Sequence, residues 1–441
     1  MAYHIQTADQ AAPAERERWT PLRIAVILIC FLLNAIDGMD IVIMSYISPT
    51  LKAEWALSPE ALGTVFSASL AGMAVGGLFI APLADKCGRR PLIIALLSII
   101  TATMLLSSRA QDITQLVILR AVIGASVGAF LASVTAMAAD YAPRGQQGMV
   151  VAAAISGYAL GAVVTGLVVA HYLPEHGWRM MLKGAGFLSL ALLPLVVLIL
   201  PESLDFLKRK QPRGALTRLN RVLRRLGEAQ LAALPPKVTT RRASIAAVFR
   251  DGRLRGTLCL WLSVVMGFMT FYFLVSWITQ LSVQSGLAVE NAIYAGALFN
   301  FGGFTGTFAI GALGSRFGLQ RVTCIAMLCG AIVVAAFGYL SVTLALTLVL
   351  AYLAGFTTNG GFNAFYALAA ALYPAEIRST GIGWAMGIGR IGAVIGPMLG
   401  GILIGQGLGL PSLLAVFAVP LLIAGVSALF IRATFVKHKQ N

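Results

Sequence analysis

Residues 81–90 have the sequence APLADKCGRR, a short segment with charges of both signs that follows an apolar run. Residues 311–320, GALGSRFGLQ, repeat its pattern after a second apolar run. A further matching pair is Tyr141-Ala-Pro-Arg144 and Tyr373-Pro-Ala-Glu-Ile-Arg378. Internal repeats of this kind in an apolar chain predict two homologous halves around a central cavity.

The overall composition is that of a membrane protein. Of the 441 residues, 58% are hydrophobic and only 11% are charged, and the mean hydropathy is +0.85. These values lie outside the range of soluble globular proteins. The net charge of +16 lies mainly in short segments between apolar runs, each of about 20 residues, the length that spans a bilayer. The expected partner is therefore the lipid bilayer and not nucleic acid.

Apolar segments that could cross the membrane occur in two groups of six. They lie at 22–46, 61–83, 91–107, 113–138, 148–170 and 180–200, and at 256–280, 289–313, 321–340, 344–371, 381–405 and 412–432. The sequence thus predicts an all-α integral membrane protein with twelve transmembrane helices in two six-helix halves.

The predicted organisation has five parts, and the distribution of basic residues sets its orientation. The linker between the halves carries fourteen Lys or Arg and four Asp or Glu, whereas the loops on the other side hold only Lys52, Arg109 and Arg179. The positive-inside rule then places the linker and both termini in the cytosol of a multi-pass inner-membrane protein, which we expect to be a monomer. The parts are a tail at 1–21, a bundle at 22–201, the linker at 202–255, a bundle at 256–432 and a tail at 433–441.

The loop at 85–90 is a candidate conformational latch. Asp85, Gly88, Arg89 and Arg90 combine a glycine bend with both signs of charge. Such a loop can form ion pairs that break when the two halves rock. The alternative is a positive-inside anchor that only holds the topology. Ser315 stands where Asp85 would be in the second copy.

Three charged residues within predicted spans are candidates for proton coupling. Arg120 lies about 10 Å inside the outer end of its span by helical rise, and Asp37 and Asp40 reach a similar depth from the other direction. The two carboxylates are three residues apart and share one helix face. Because charges buried in a bilayer are costly, we expect Asp37, Asp40 and Arg120 to form one functional cluster. The alternative is that Asp37 pairs with Arg120 only for folding, while Asp40 meets water.

Arg390 is the first candidate for binding an anionic substrate. It lies near the bilayer midplane in a glycine-rich span, and its planar, permanently charged guanidinium suits a carboxylate. The alternative partners are backbone carbonyls or Glu376. Other polar or aromatic residues at middle depth could line the same site or merely join helices. These are Asn34, Tyr158, Tyr272, Asn300, Asn359 and Asn363.

The sequence lacks the motifs of an enzyme or an ATP-driven pump. No phosphate-binding loop, metal-ligand cluster or nucleophile motif is recognisable. We therefore expect no enzymatic activity, no metal site and no cofactor, with the proton gradient as the energy source.

The loop at 85–90 resembles the signature between helices two and three of the major facilitator superfamily. Within that superfamily, residues 37–40 (DGMD), 272–277 (YFLVSW) and 373–387 resemble the bacterial aromatic acid and proton symporters. The resemblance implies import of benzoate-like or hydroxylated aromatic acids by alternating access. It implies functional roles for Asp37, Asp40, Asp85, Gly88, Arg89, Arg120 and Arg390. Ala81, Ser315 and Thr279 depart from the expected pattern.

The expected function is therefore a proton-coupled symporter of a small aromatic carboxylate. In this hypothesis Asp37 or Asp40 takes up a proton and loosens its hold on Arg120, while the substrate binds Arg390. The alternatives are a transporter of another organic anion such as muconate, a proton-coupled drug exporter, and a membrane sensor that transports nothing.

Overall fold

The computed structural model describes residues 19–236, 245–340, 343–374 and 376–431, and all regular structure in these ranges is helical. The predicted tails, apart from residues 19–21, and residues 237–244 of the predicted linker lie outside the described residues. The α-helices are α1 (Pro21–Trp55), α2 (Pro59–Val75), α3 (Ala84–Cys87), α4 (Arg89–Ser107), α5 (Ile113–Tyr141), α6 (Gln147–Ile199), α7 (Leu204–Lys210), α8 (Ala215–Leu226), α9 (Leu254–Gln284), α10 (Val289–Phe317), α11 (Leu319–Leu340), α12 (Leu344–Leu372), α13 (Arg378–Gly405) and α14 (Leu410–Leu429).

Eleven of the described helical stretches are long and apolar enough to cross a membrane, and one of them makes two crossings. Helix α6 has 53 residues and would be about 80 Å long if straight, against a hydrocarbon core of about 30 Å. It is broken at Gly177, where φ is 71° and ψ is 169°. The break falls in the predicted gap between spans five and six. The twelve predicted crossings and the all-helical fold are thereby confirmed.

Helix α1 extends further than the sequence pattern predicted. Its predicted span ends at residue 46, but the helix runs to Trp55, and Ala56 then ends it in the left-handed conformation with φ of 47°. Pro49 lies inside this extension without ending the helix. Lys52 therefore belongs to the last helical turn and not to a loop.

Several helices begin where a polar side chain caps the first turn. The Thr20 hydroxyl accepts a hydrogen bond from the backbone N–H of Arg23, and the Asp112 carboxylate accepts one from that of Gln115. Each satisfies a backbone donor that the helix itself leaves without a partner.

Within the first half, pairs of helices touch backbone to backbone at glycines. A Cβ added to Gly38 of α1 would lie 2.0 Å from the carbonyl oxygen of Tyr158 in α6, and one added to Gly161 would lie 2.1 Å from that of Ala35. Between α2 and α5, the same holds for Gly72 against Ala121, at 2.2 Å. Only glycine permits this approach, as in other membrane helix pairs.

The second half repeats these contacts at equivalent helix pairs. A Cβ on Gly392 of α13 would lie 2.0 Å from the Val265 carbonyl oxygen in α9. One on Gly302 of α10 would lie 2.1 Å from the Tyr352 carbonyl oxygen in α12. The internal sequence repeat therefore corresponds to a repeated mode of packing.

We call the end of the bundle that carries α7 and α8 the linker end, and the opposite end the far end. At the far end, α2 and α13 are in contact, because a Cβ on Gly401 would lie 2.5 Å from the Pro59 carbonyl oxygen. The Ser67 hydroxyl also donates to the Val394 carbonyl across the halves, at 2.8 Å. Toward the linker end of α13, Gly383 and Gly387 face open space. The two halves are thus closed together at the far end and apart at the linker end.

The first part of the linker packs onto the first half. Helices α7 and α8 contact α1, α3 and α5. Leu207, Leu219 and Leu223 form a small buried apolar cluster, and the Glu228 carboxylate pairs with the buried Arg23 guanidinium of α1.

The glycine contacts generate a test of stability. We expect Gly161→Ala to lower the apparent melting temperature of the detergent-solubilised protein, because the added methyl group overlaps the α1 backbone, a strain of about 1–3 kcal/mol. Gly184→Ala is the matched control in the same helix, since no atom lies within 4 Å of the position of its Cβ. Equal melting temperatures for the two variants would contradict the backbone contact.

Candidate functional site

Asp40 of α1 and Arg120 of α5 form a fully buried ion pair. Arg120 Nη1 donates to Asp40 Oδ1 at 2.8 Å, and Nη2 donates to Oδ2 at 3.3 Å and to the Asp40 backbone carbonyl at 3.0 Å. The two side chains are only 2% and 1% exposed. Their charges therefore compensate each other, and neither group faces water in this conformation.

Asp37 lies one turn earlier in α1 and has no such compensation. Its residue is 3% exposed, and its Oδ1 atom has no hydrogen-bond partner among the described residues. It lies within electrostatic range of Asp40 and of Arg390 in the other half. Gly38, next to it, brings the α6 backbone against this turn of α1. The pair of acids is thus asymmetric: one is paired, and the other has an unsatisfied oxygen.

Arg390 of α13 reaches toward the interface between the halves. Its Nη1 donates to the Tyr272 hydroxyl of α9 at 3.1 Å and lies 4.0 Å from the Met73 sulfur of α2. Its Nε and Nη2 groups make no hydrogen bond within the described part of the chain. A guanidinium has five N–H donors in a planar fork, so much of this donor capacity remains for a bound anion.

Aromatic rings surround this guanidinium. Its Cζ atom lies 5.9 Å from the Phe268 ring centroid and 6.0 Å from that of Tyr272. The Phe362 ring of α12 packs edge-on against Phe268 at 4.5 Å, and Tyr366 packs against Phe362 at 6.0 Å. Tyr366 is 41% exposed and lies within electrostatic range of Arg390. The arrangement combines a cation with ring faces, and so suits an aromatic anion.

A small cavity lies beside Arg120. Its volume is about 20 Å³, enough for about one water molecule, and its lining includes Arg120, Ser69, Tyr272 and Ser276. Tyr272 also binds Arg390. A single side chain thus lies between the Asp40–Arg120 pair and the Arg390 guanidinium.

The other predicted site residues lie in four different settings. Asn34 donates to the Cys30 carbonyl of its own helix at 2.8 Å. Asn300 donates to the Gly296 carbonyl at 2.9 Å and to the Tyr46 hydroxyl at 3.5 Å, where α10 meets α1. Tyr158 lies within electrostatic range of Asp37, Tyr272 and Arg390. Asn359 and Asn363 are joined to each other on α12. Of Asn34, Asn300 and Tyr158, only Tyr158 therefore lies near the charged groups of Asp37 and Arg390.

Four residues of the site were missed by the sequence reasoning: Met73, Phe268, Phe362 and Tyr366. The chain has 22 Phe and 14 Met residues, mostly in apolar segments, so residue type alone does not distinguish them. Phe362 and Tyr366 are spaced at helical intervals from Asn359 and Asn363, and this spacing is the signal that could have found them.

The candidate latch is organised by the acidic side chain of Glu202. Glu202 accepts hydrogen bonds from the backbone N–H groups of Arg89 and Arg90 at 3.0 and 3.1 Å. Gly88 has φ of 102°, and a Cβ there would lie 2.4 Å from Glu202 Oε2. Arg89 pairs with Asp140 of α5 at 2.8 Å. These bonds lie within the first half while the linker end is open.

Among the described residues, the second copy of the loop shows no equivalent contacts. The Ser315 hydroxyl, at the position of Asp85, donates to the Ala312 carbonyl of its own helix at 2.7 Å. The two copies of the loop therefore differ in the hydrogen bonds and ion pairs that they form.

Comparison with known sequences finds relatives over nearly the whole chain. The profile of the Major Facilitator Superfamily matches residues 29–358 and 294–441. The gallate transporter of Pseudomonas putida is 33% identical over 408 residues, covering 92% of this chain and 90% of that protein. The 4-hydroxybenzoate transporter PcaK of Pseudomonas aeruginosa is 34% identical and covers 96% of each chain. The benzoate transport protein of Acinetobacter baylyi is 29% identical, covering 87% of this chain and 84% of that protein.

Solved structures with the same fold have open inward-facing forms. A bacterial homologue of the human lysosomal transporter Spinster, in an inward-facing and unoccupied conformation, matches with a TM-score of 0.69 at 17% identity. It covers 94% of this chain and 95% of its own. A partially occluded inward-open form of the xylose transporter XylE from E. coli also gives 0.69 at 17% identity, covering 92% and 98%. At this identity the likeness concerns the fold alone.

The asymmetry of the two acids generates a prediction. Arg120→Leu leaves the buried Asp40 carboxylate without a partner, so we expect a loss of about 3–5 kcal/mol and a clearly lower apparent melting temperature. Asp37→Asn removes no hydrogen bond from Asp37 Oδ1, so we expect the free energy of unfolding to change by less than about 1 kcal/mol.

The double variant Asp40→Leu/Arg120→Leu serves as the control. It removes both charges, and part of the lost stability should return. If the double variant melts no higher than Arg120→Leu, the unpaired charge is not the cause of the loss.

Proposed function

The chain belongs to the major facilitator superfamily, and we propose that it imports aromatic carboxylates together with protons. It is a membrane transporter and not an enzyme, and transporters of this family use no cofactor. The observation that carries the proposal is the Arg390 guanidinium, whose Nε and Nη2 donors have no partner among the described residues and which lies beside aromatic rings.

The names of the relatives support the substrate class. Gallate, 4-hydroxybenzoate and benzoate, the compounds after which those transporters are named, all consist of a carboxylate on a benzene ring. In this chain the carboxylate binds the free edge of the Arg390 guanidinium, and the ring lies against Phe268, Tyr272 and Tyr366. A muconate-like acid has no ring to fill the aromatic part of this site.

Asp37 carries the coupled proton in this proposal. An ionised carboxylate with a buried, unsatisfied oxygen costs free energy, and protonation removes that cost. Asp40 is the less suitable carrier because Arg120 already neutralises it with two hydrogen bonds from side chain to side chain. The Asp40–Arg120 pair instead holds α1 and α5 in register beside Asp37.

Coupling follows from the position of Asp37 between the halves. Asp37 is on α1, and Arg390, on α13 of the other half, lies within electrostatic range of it. When the substrate carboxylate occupies Arg390, the attraction between Arg390 and an ionised Asp37 weakens, so proton and substrate favour binding together. Such linkage is reciprocal: each ligand raises the affinity for the other by the same factor.

The linker end faces the cytosol in this proposal, and the membrane is the cytoplasmic one. The exposed side chains of Arg218, Arg221 and Arg224 in α8 lie at that end. The positive-inside rule supports this orientation. The conformation open at the linker end is then the one that releases substrate into the cell.

Proteoliposomes with an inward proton gradient test the proposal. The wild type should accumulate labelled 4-hydroxybenzoate, benzoate or gallate above its equilibrium level. Asp37→Asn should abolish accumulation but retain exchange of internal for external substrate, because substrate binding is preserved while proton movement is lost. Arg390→Ala should lose both activities, since it removes the anion-binding group.

The outcomes discriminate between the candidate functions. Accumulation by Asp37→Asn equal to the wild type would remove Asp37 as the proton carrier. Failure of the folded wild type to take up any aromatic acid, with gradient-driven efflux of a lipophilic drug instead, would identify a drug exporter.

A further inference from the structure

Helix α12 presents a mixed polar and aromatic stripe beside Arg390. Asn359, Phe362, Asn363 and Tyr366 are spaced by three or four residues and therefore lie on one face of the helix. Asn359 and Asn363 are partly exposed, and Tyr366 is 41% exposed. The two asparagines are about 14 to 20 Å from the linker end of α12, and Arg390 is about 18 Å from that end of α13. The stripe and the guanidinium thus lie at the same depth.

The asparagines form a polar cluster with Thr307 of α10. Asn363 Nδ2 donates to Thr307 Oγ1 at 2.8 Å and to Asn359 Oδ1 at 3.0 Å. The Thr307 hydroxyl donates to the Gly303 carbonyl at 2.8 Å. Within the described residues, Asn363 Oδ1 and Asn359 Nδ2 make no hydrogen bond. The cluster therefore keeps one acceptor and two donor hydrogens without protein partners.

A glycine of α10 leaves room for the Asn359 side chain. A Cβ on Gly303 of α10 would lie 2.3 Å from Asn359 Nδ2, so only glycine leaves room for the amide there. The Asn359 side chain therefore packs directly against the α10 backbone at Gly303.

The aromatic rings connect this cluster to Arg390. Phe362 lies between the asparagines on the helix face and touches Phe268, which faces the guanidinium. A ring whose carboxylate is bound to Arg390 and which lies along Phe362 directs its other substituents toward the asparagines.

From this geometry we infer that Asn359 and Asn363 form a subsite for the ring hydroxyl groups of the substrate. A hydroxyl group is both donor and acceptor, and the free acceptor and donors of the two amides match it. The inference rests on the proposed function and adds to it that hydroxylated aromatic acids are preferred over benzoate. When benzoate is bound, the amide groups of Asn359 and Asn363 are left without a hydrogen-bond partner. This cost disfavours benzoate relative to the hydroxylated acids.

The competing explanation is that the asparagines only join α10 to α12. Asn359→Ala separates the two explanations, because it leaves the bond between Asn363 and Thr307 intact. Thr305→Val is the matched control: it removes another hydrogen bond between the same helices, the one that joins the Thr305 and Tyr352 hydroxyl groups at 2.9 Å.

The experiment measures kcat/KM for uptake of benzoate, 4-hydroxybenzoate and gallate in proteoliposomes. We expect Asn359→Ala and Asn363→Leu to lower kcat/KM for the hydroxylated acids about three- to tenfold, the effect of one or two neutral hydrogen bonds, with benzoate unchanged. In Thr305→Val, the ratio of kcat/KM for a hydroxylated acid to kcat/KM for benzoate should be the same as in the wild type. Retained benzoate uptake shows that a variant is folded. If Asn363→Leu does not fold, the result for Asn359→Ala alone tests the hydroxyl subsite.

Two outcomes overturn the inference in distinguishable ways. If both asparagine variants transport aromatic acids with the wild-type ratio, or Thr305→Val shifts the ratio equally, the hydroxyl subsite is wrong and the proposed function stands. If the wild type transports none of the three acids, the proposed function fails, and the inference fails with it.

Discussion

Direct contact between helix backbones is the constraint on which this structure depends. Lipid tails are as apolar as the helix surfaces, so helices in a bilayer associate by close packing and polar contacts. Gly38 and Gly161 let α1 and α6 touch, and Gly302 and Gly392 do the same in the second half. Because Gly38 stands between Asp37 and Met39, the same contact that packs α1 against α6 also fixes the turn of helix that bears the acids. Packing and function are thus set by one short segment.

The buried charges extend this arrangement across the two halves. Asp40 and Arg120 neutralise each other within the first half, while Asp37 and Arg390 lie in opposite halves within electrostatic range of each other. A charge pair within a rigid half can persist through a rocking motion, but an interaction between halves changes with it. In the proposed function, Asp40 therefore has a structural role and Asp37 a variable one, although the two side chains lie only three residues apart.

The sequence predicted the features that rest on local pattern or on the cost of burying charge. The twelve crossings follow from segment length and hydropathy, and Asp40 and Arg120 stood out because ionisable residues are rare in spans. Phe268 could not be predicted, because rings are common in apolar helices and only helix packing decides which of them approach Arg390, whereas Phe362 and Tyr366 were marked only by their helical spacing from Asn359 and Asn363. Glu202 was hidden for a related reason: its partners, the backbone N–H groups of Arg89 and Arg90, are far from it along the chain.

The attachment of α7 and α8 to the first half bears on the order of events during synthesis. The contacts of these helices with α1, α3 and α5, and the pair between Arg23 and Glu228, involve residues that all leave the ribosome before α9 is made. Domains generally fold as units, with the N-terminal one first. The first half can therefore complete its own surface at the linker end, with the Glu202 carboxylate seated on α4, while the second half is still unsynthesised. Nascent second-half helices then meet a partner that is already folded.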